Sequence, residues 1–180
     1  MPGQHICASG AYYVAVAADK IYVDKASLIG SIGVIMDGFG FVGTMEKLGV
    51  ERRALTAGAN KDFLDPYAPM SPEQKAYAQQ MLDEVHQQFI AAVREGRGQR
   101  LKESPEIFSG LVWNGKRSIE LGLADALGST DSVARDVIKA EEIVDFTVQE
   151  SITERVARKF GATLGDRFMR SVGTGRYGMR

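Results

Sequence analysis

Residues 11–18 of the chain are alanine, tyrosine and valine only, with no polar position among them. That run predicts a helix buried all round, opening at Ser9-Gly10. Asp19-Lys20-Ile21-Tyr22-Val23-Asp24 then alternates polar and apolar, the pattern of a short strand. Gly30-Ser31-Ile32-Gly33 reads as a turn and Val34-Ile35-Met36 as a second short buried strand. Residues 44–48 suit a short helix stopped at Gly49, and residues 51–56 a further strand. The best-marked element starts at Ser71, an N-cap followed by Pro72 and, three residues after the cap, Gln74. Ala78, Leu82, Val85, Phe89 and Val93 follow at helical spacing and predict one apolar face, with Gly96 and Gly98 as stops. Beyond them lie a short helix over 105–110, a strand and turn over 112–115, and a short helix over 116–121 ended by Gly122. A helix over 129–140 and a strand over 143–148 complete the series. Strands alternating with helices predict an α/β domain.

The last segment has a different pattern. Ser151 and Glu154 form a capping box, and Ile152, Val156, Phe160, Leu164 and Phe168 recur every fourth residue. Arg155, Arg158, Lys159, Arg167 and Arg170 occupy the other faces. Residues 151–180 hold seven Lys/Arg and two Asp/Glu, net +5, against net −6 over residues 1–150. The expected organisation is therefore an α/β domain over 1–150 and a basic amphipathic helix and tail over 151–180. Gly161 and Gly165 each weaken that helix by about 1 kcal/mol, so it needs a surface to pack on. Its own domain, a neighbouring subunit and an anionic membrane would all serve, and the neighbouring subunit is favoured. The whole chain carries 22 Lys/Arg and 23 Asp/Glu, which gives no global pull toward nucleic acid. One cysteine, Cys7, excludes an intrachain disulfide. No apolar run approaches the roughly 20 residues that span a bilayer, and the first residues do not read as a signal peptide.

Ser9 is the first candidate for chemistry. At the head of a helix it has unpaired backbone N–H groups beside it, and the Gly10 N–H is placed to donate to an oxyanion. The alternative is that Ser9 merely caps the helix. A serine hydroxyl is nearly inert until a base takes its proton. The chain has two histidines, His5 and His86. His5 is only four residues before Ser9, and His86 reads as a surface or rim residue beside two glutamines. The G-x-S-x-G elbow of α/β-hydrolases is absent, because position 7 is cysteine. A lysine remains, provided burial lowers its pKa from about 10.4 toward neutrality. Lys61, between Ala57-Gly58-Ala59 and Phe63-Leu64, is the best placed, in a weakly polar setting, against the alternative of a solvated loop lysine. Gly38, Gly40 and Gly43 spell G-x-G-x-x-G, a pattern able to cradle a dinucleotide such as NAD. The helix after it is too short for a crossover, and glycines also serve turns and close packing.

Ala8-Ser9-Gly10-Ala11-Tyr12-Tyr13, Ala17-Ala18-Asp19-Lys20-Ile21 and Gly30-Ser31-Ile32-Gly33-Val34 together resemble the bacterial signal peptide peptidase family. The resemblance continues through Gly58-Ala59-Asn60-Lys61-Asp62, Arg97-Gly98, Gly115 and Gly122-Leu123-Ala124-Asp125. It implies a Clp protease-like (crotonase-like) α/β fold and a serine endopeptidase with Ser9 as nucleophile and Lys61 as general base. It implies neither cofactor nor metal, and recasts Gly38, Gly40 and Gly43 as part of the family's middle segment. Fold relatives with a Ser-His-Asp triad carry their histidine where this chain has Val34 and its neighbours. The implied substrates are signal peptide remnants and other apolar segments. The implied setting is a ring-like homo-oligomer on the extracytoplasmic face of the bacterial inner membrane, with serine and lysine able to come from neighbouring subunits. Residues 151–170 would offer a membrane contact.

The chain departs from the family in two places. Ala11 stands where the family has a second glycine. Met1-Pro2-Gly3-Gln4 leads directly into the serine motif, so the family's anchor and upstream βα units, with their glycine-rich second oxyanion donor, are expected to be missing. Loss of one such donor costs about 100- to 1000-fold in rate. Two other readings follow: a truncated, non-catalytic oligomerisation module of the same fold, and a dinucleotide-binding domain.

Overall fold

The computed structural model describes residues 6–140 and 142–144. The chain divides into a compact unit, Met1–Lys139, and a second unit, Ala140–Arg180. His5, the helix expected over 151–170 and most of the strand expected over 143–148 lie outside the described residues.

In chain order the compact unit comprises β1 (Ile6–Ala8), α1 (Gly10–Ala15), β2 (Tyr22–Val23), β3 (Leu28–Gly30), α2 (Val42–Leu48) and α3 (Pro72–Arg97). After a short 3-10 turn at Pro105–Phe108 come β4 (Val112–Asn114), α4 (Gly115–Glu120), β5 (Ala126–Leu127) and α5 (Thr130–Ser132), which widens into a π-turn over Val133–Ile138. β3 is the middle strand of a small sheet, parallel to β1 and antiparallel to β4. β2 and β5 make a separate parallel pair. The parallel pairings and interleaved helices bear out the mixed α/β expectation.

The core lies where α1 and the C-terminal half of α3 meet β3. Tyr12 and Val16 pack with Ile29, Ile32, Phe89 and Val93, and Ile107 and Leu123 close the cluster. Gly96 makes that crossing possible, since a Cβ there would sit 2.0 Å from the Val16 carbonyl oxygen. Gly96 is thus a point of close approach within α3, and the helix ends one residue later, turning at Gly98 with φ 50°. The capping box at Ser71 and Gln74 is formed as expected. The buried stripe of α3 shifts to Ala78, Phe89, Ile90, Val93 and Arg97, leaving Val85 exposed, because mainly the later turns face the core.

Several expected elements differ. α1 is not buried all round: it stops at Ala15, buries Tyr12, and leaves Val14 75% exposed. The strand expected over 19–24 shrinks to β2. Val34-Ile35-Met36 is not a strand; β3 forms earlier, and Ser31 at φ 53° turns the chain out of the sheet. Residues 51–56 form no strand either; among the described residues no strand pairs with them, and Arg52 is instead tied to Asp65 by an ion pair. No residue from 33 to 70 is buried.

Candidate active site

Ser9 occupies the one-residue turn between β1 and α1, with φ 53° and ψ −124°. A side chain held there costs about 1–3 kcal/mol, which surrounding structure must supply. Its N–H donates to the Gly30 carbonyl (2.8 Å) and its carbonyl accepts from the Tyr13 N–H (2.9 Å). The hydroxyl caps nothing and faces outward. A capping serine behaves differently, with extended backbone and its oxygen on a first-turn N–H. Ser71 does so here, at φ −74° and ψ 157°, accepting from the Gln74 N–H. The contrast removes the capping explanation for Ser9. The first N–H groups of α1 have no intrahelical acceptor. A Cβ built on Gly10 would meet nothing within 4 Å, so an approaching group has room beside that N–H.

The turn is braced from behind. Gly30, at φ 106°, is pressed so closely on the Trp113 ring and the Leu111 carbonyl that a Cβ would lie 2.8 Å and 2.9 Å from them. The Tyr12 hydroxyl donates to the Leu123 carbonyl (2.8 Å), and burial pushes its pKa well up, so it stays protonated. Burial likewise raises the pKa of the half-buried Cys7 thiol, two residues before Ser9.

Lys61 belongs to the other part of the unit. Its N–H donates to the Gly58 carbonyl (3.2 Å), within a turn that Gly58 permits at φ 110°. The side chain is exposed, so the weakly polar setting expected for it is not supplied by its own loop. Nearby, Phe63 meets the Tyr77 ring edge-on at 5.6 Å. Among the described residues neither the Ser9 hydroxyl nor the Lys61 amine has a hydrogen-bond partner, and no hydrogen bond joins the two. His86 is half-buried on α3, with Nε2 3.2 Å from the Ile32 carbonyl oxygen, and makes no hydrogen bond to Ser9.

Gly38, Gly40 and Gly43 line a groove of about 500 Å³ with residues 64–66 and 68–70 and the first half of α3. A dinucleotide site needs a strand running into the glycine turn and a long helix leaving it. No strand ends at Gly38, and α2 is 7 residues long. None of the three has left-handed backbone, and a Cβ at each would meet nothing within 4 Å. Neither the nucleotide reading nor the turn-and-packing one is supported. No group of three or more potential ligands for a metal occurs among the described residues, and no described helix is long and apolar enough to cross a membrane.

One partnership was not read from the sequence. Arg97, 1% exposed, meets the Asp125 carboxylate through two hydrogen bonds of 2.9 Å and donates to the Gly122 carbonyl (2.7 Å). Asp125 also accepts from the Ile21 N–H (2.7 Å) and from Arg100 (3.1 Å). Burial raises the Asp125 pKa, but these hydrogen bonds and the two guanidinium charges outweigh it and hold the carboxyl at about 2. The available signal was an arginine four residues after Val93, in register with the buried stripe.

The model for peptidase family S49 matches residues 3–144. Among curated proteins, one of Brucella abortus named as a Na(+)/H(+) antiporter NhaA is 43% identical over 132 residues, 73% of this chain and 18% of that protein. A provisionally named protease of Methanocaldococcus jannaschii is 33% identical over 96% of this chain and 56% of its own length. A provisionally named signal peptide peptidase SppA of Enterococcus faecium is 31% identical over 82% of this chain and 43% of its own. The chain thus spans between about a fifth and just over half of these relatives. The Ser9 turn, the Lys61 turn and the Arg97–Asp125 pair all fall within the matched residues, and the chain belongs to peptidase family S49.

Proposed function

We propose that the chain carries the catalytic pair of a serine endopeptidase, with Ser9 as nucleophile and Lys61 as general base. The observation that supports this best is the Ser9 backbone. A serine held at φ 53° with an uncommitted, outward hydroxyl serves no local structural need. In the proposed reaction a neutral Lys61 amine takes the Ser9 proton as Oγ attacks the scissile carbonyl. The Gly10 N–H donates to the oxyanion. Lys61 then gives its proton to the leaving amine, and water releases the acyl group.

A lysine amine is largely protonated near pH 7, and burial is the means of freeing it. The exposed Lys61 therefore needs a cover, which substrate or a neighbouring subunit of a homo-oligomer supplies. Exposed apolar groups around Ser9, including Ile6, Tyr13 and Val14, suit apolar peptide substrates such as signal peptide remnants. The working setting we propose is the extracytoplasmic face of a bacterial inner membrane, with residues 151–170 as subunit or membrane contact. One observation favours a second reading, a non-catalytic assembly module: the Ser9 hydroxyl and the Lys61 amine make no hydrogen bond within one chain.

The test is acylation. A fluorophosphonate applied to the full chain is expected to add its mass to the peptide holding Ser9, and Ser9→Ala to abolish the addition. Labelling that persists in Ser9→Ala would remove Ser9 as nucleophile, and no labelling of the assembled protein would favour the second reading.

A further inference from the structure

We infer that His86 is a positioning residue that holds the Ser9 backbone in its strained conformation through the segment Gly30-Ser31-Ile32. This rests on the reading of Ser9 as nucleophile. The Ile32 oxygen is a carbonyl and can only accept, so a bond to His86 Nε2 at 3.2 Å requires the proton on Nε2. Among the described residues Ile32 has no other donor on that oxygen.

The segment between His86 and Ser9 is short and tightly held. The Ile32 side chain is fully buried in the core. Ser31 sits at φ 53°, its N–H donating to the Leu111 carbonyl (2.7 Å). Gly30 lies against Trp113, and its carbonyl accepts the Ser9 N–H. Two non-glycine residues in left-handed backbone, Ser31 and Ser9, are thus joined by one peptide and one hydrogen bond. Such conformations persist only where neighbours over-determine them. Gly30 lies against Trp113, the Ile32 side chain is held in the core, and the Gly33 N–H donates to the Ser31 carbonyl (3.0 Å), so the group of this turn left for a side chain to hold is the Ile32 carbonyl. His86, carried on α3, holds that carbonyl. Loss of that donor removes one restraint on the turn after Ser31, and the Gly30–Ser31 peptide, whose carbonyl accepts the Ser9 N–H, is then held by the Ser31–Leu111 bond and packing alone. His86 touches no reacting atom in this arrangement.

Glutamine places an amide Nε2–H close to where the imidazole Nε2–H sits, whereas leucine fills space without donating. His86→Leu and His86→Gln are therefore compared with the parent chain in three measurements: thermal unfolding, exchange of the Ser9 and Ser31 amides, and rate of Ser9 acylation by a fluorophosphonate. His86→Leu is expected to exchange both amides at least about tenfold faster while the rest of β1 and α1 keeps its protection. Its acylation rate is expected to fall roughly ten- to a hundredfold, the scale of a small misplacement at a reacting centre. His86→Gln is expected to stay close to the parent in both. Unchanged exchange at Ser9 and Ser31 in His86→Leu would overturn the inference, and so would His86→Gln behaving like His86→Leu. If the parent itself is not acylated, the nucleophile reading fails, and the exchange data still decide what His86 holds in place.

Discussion

The two proposed catalytic residues come from parts of the unit built on opposite principles. Ser9 belongs to a packed part, residues 6–32 with 86–127, where strands pair, α1 and α3 touch at Gly96, and Arg97 is sealed against Asp125. Lys61 belongs to an open part, residues 34–70, in which nothing is buried and apolar side chains such as Ile35 and Phe39 face outward. The packed part can hold a strained serine ready, because strain needs rigid neighbours. The open part cannot by itself lower the charge on a lysine, because that needs exclusion of water. On the proposed assignment, nucleophile and base would be readied separately: one by folding, the other by whatever covers the open part.

If the packed part is the rigid one, its largest single dependence is the buried ion pair. Asp125→Ala leaves the Arg97 guanidinium uncompensated and is expected to cost about 3–5 kcal/mol of unfolding free energy, read from a urea transition. A loss below about 1 kcal/mol would mean that Arg97 is not sealed as described.

Acid probes the same pair more gently. The folded Asp125 titrates at about 2, below the roughly 3.9 of an unfolded aspartate. Its contribution is therefore fully present above pH 4 and is lost as pH falls from about 4 toward 2. With a carboxylate 17% exposed, that contribution is roughly 2 kcal/mol. Unfolding transitions at pH 6, 4 and 2.5 should show the loss in the parent and not in Asp125→Ala.

The open part should respond least. Leu55 is fully exposed, and Leu55→Ala is expected to change stability by no more than about 0.5 kcal/mol. Ile29→Ala, in the middle strand of the packed part, is expected to cost about 2–5 kcal/mol. Equal costs at the two positions would erase the distinction between the parts.

Legibility from sequence follows the same division. The start of α3 was readable because Ser71, Pro72 and Gln74 act locally, and local hydrogen bonds need no partner elsewhere. The Ser9 motif was readable as a site candidate, but its backbone strain is set by Gly30 and appears only once β1 and β3 pair. Val34-Ile35-Met36 and residues 51–56 have strand composition without strand partners. β-propensity is mostly a measure of fit to a neighbour, so it misled there. Gly96 reads as a stop in the sequence because a glycine near a helix end looks the same whether it ends the helix or admits another backbone. Arg97 and Asp125 were visible as separate motifs, 28 residues apart, and their pairing is a property of the fold.

The central claim is that Ser9, readied by the packed part, is activated by Lys61 from the open part. The most direct test is the rate of Ser9 acylation by a fluorophosphonate in the assembled parent and in Lys61→Ala, with unfolding followed in parallel. The account predicts a fall of about 100- to 10,000-fold, the range for loss of a general base, with stability unchanged because an exposed loop lysine contributes little packing. An acylation rate in Lys61→Ala equal to that of the parent would contradict it.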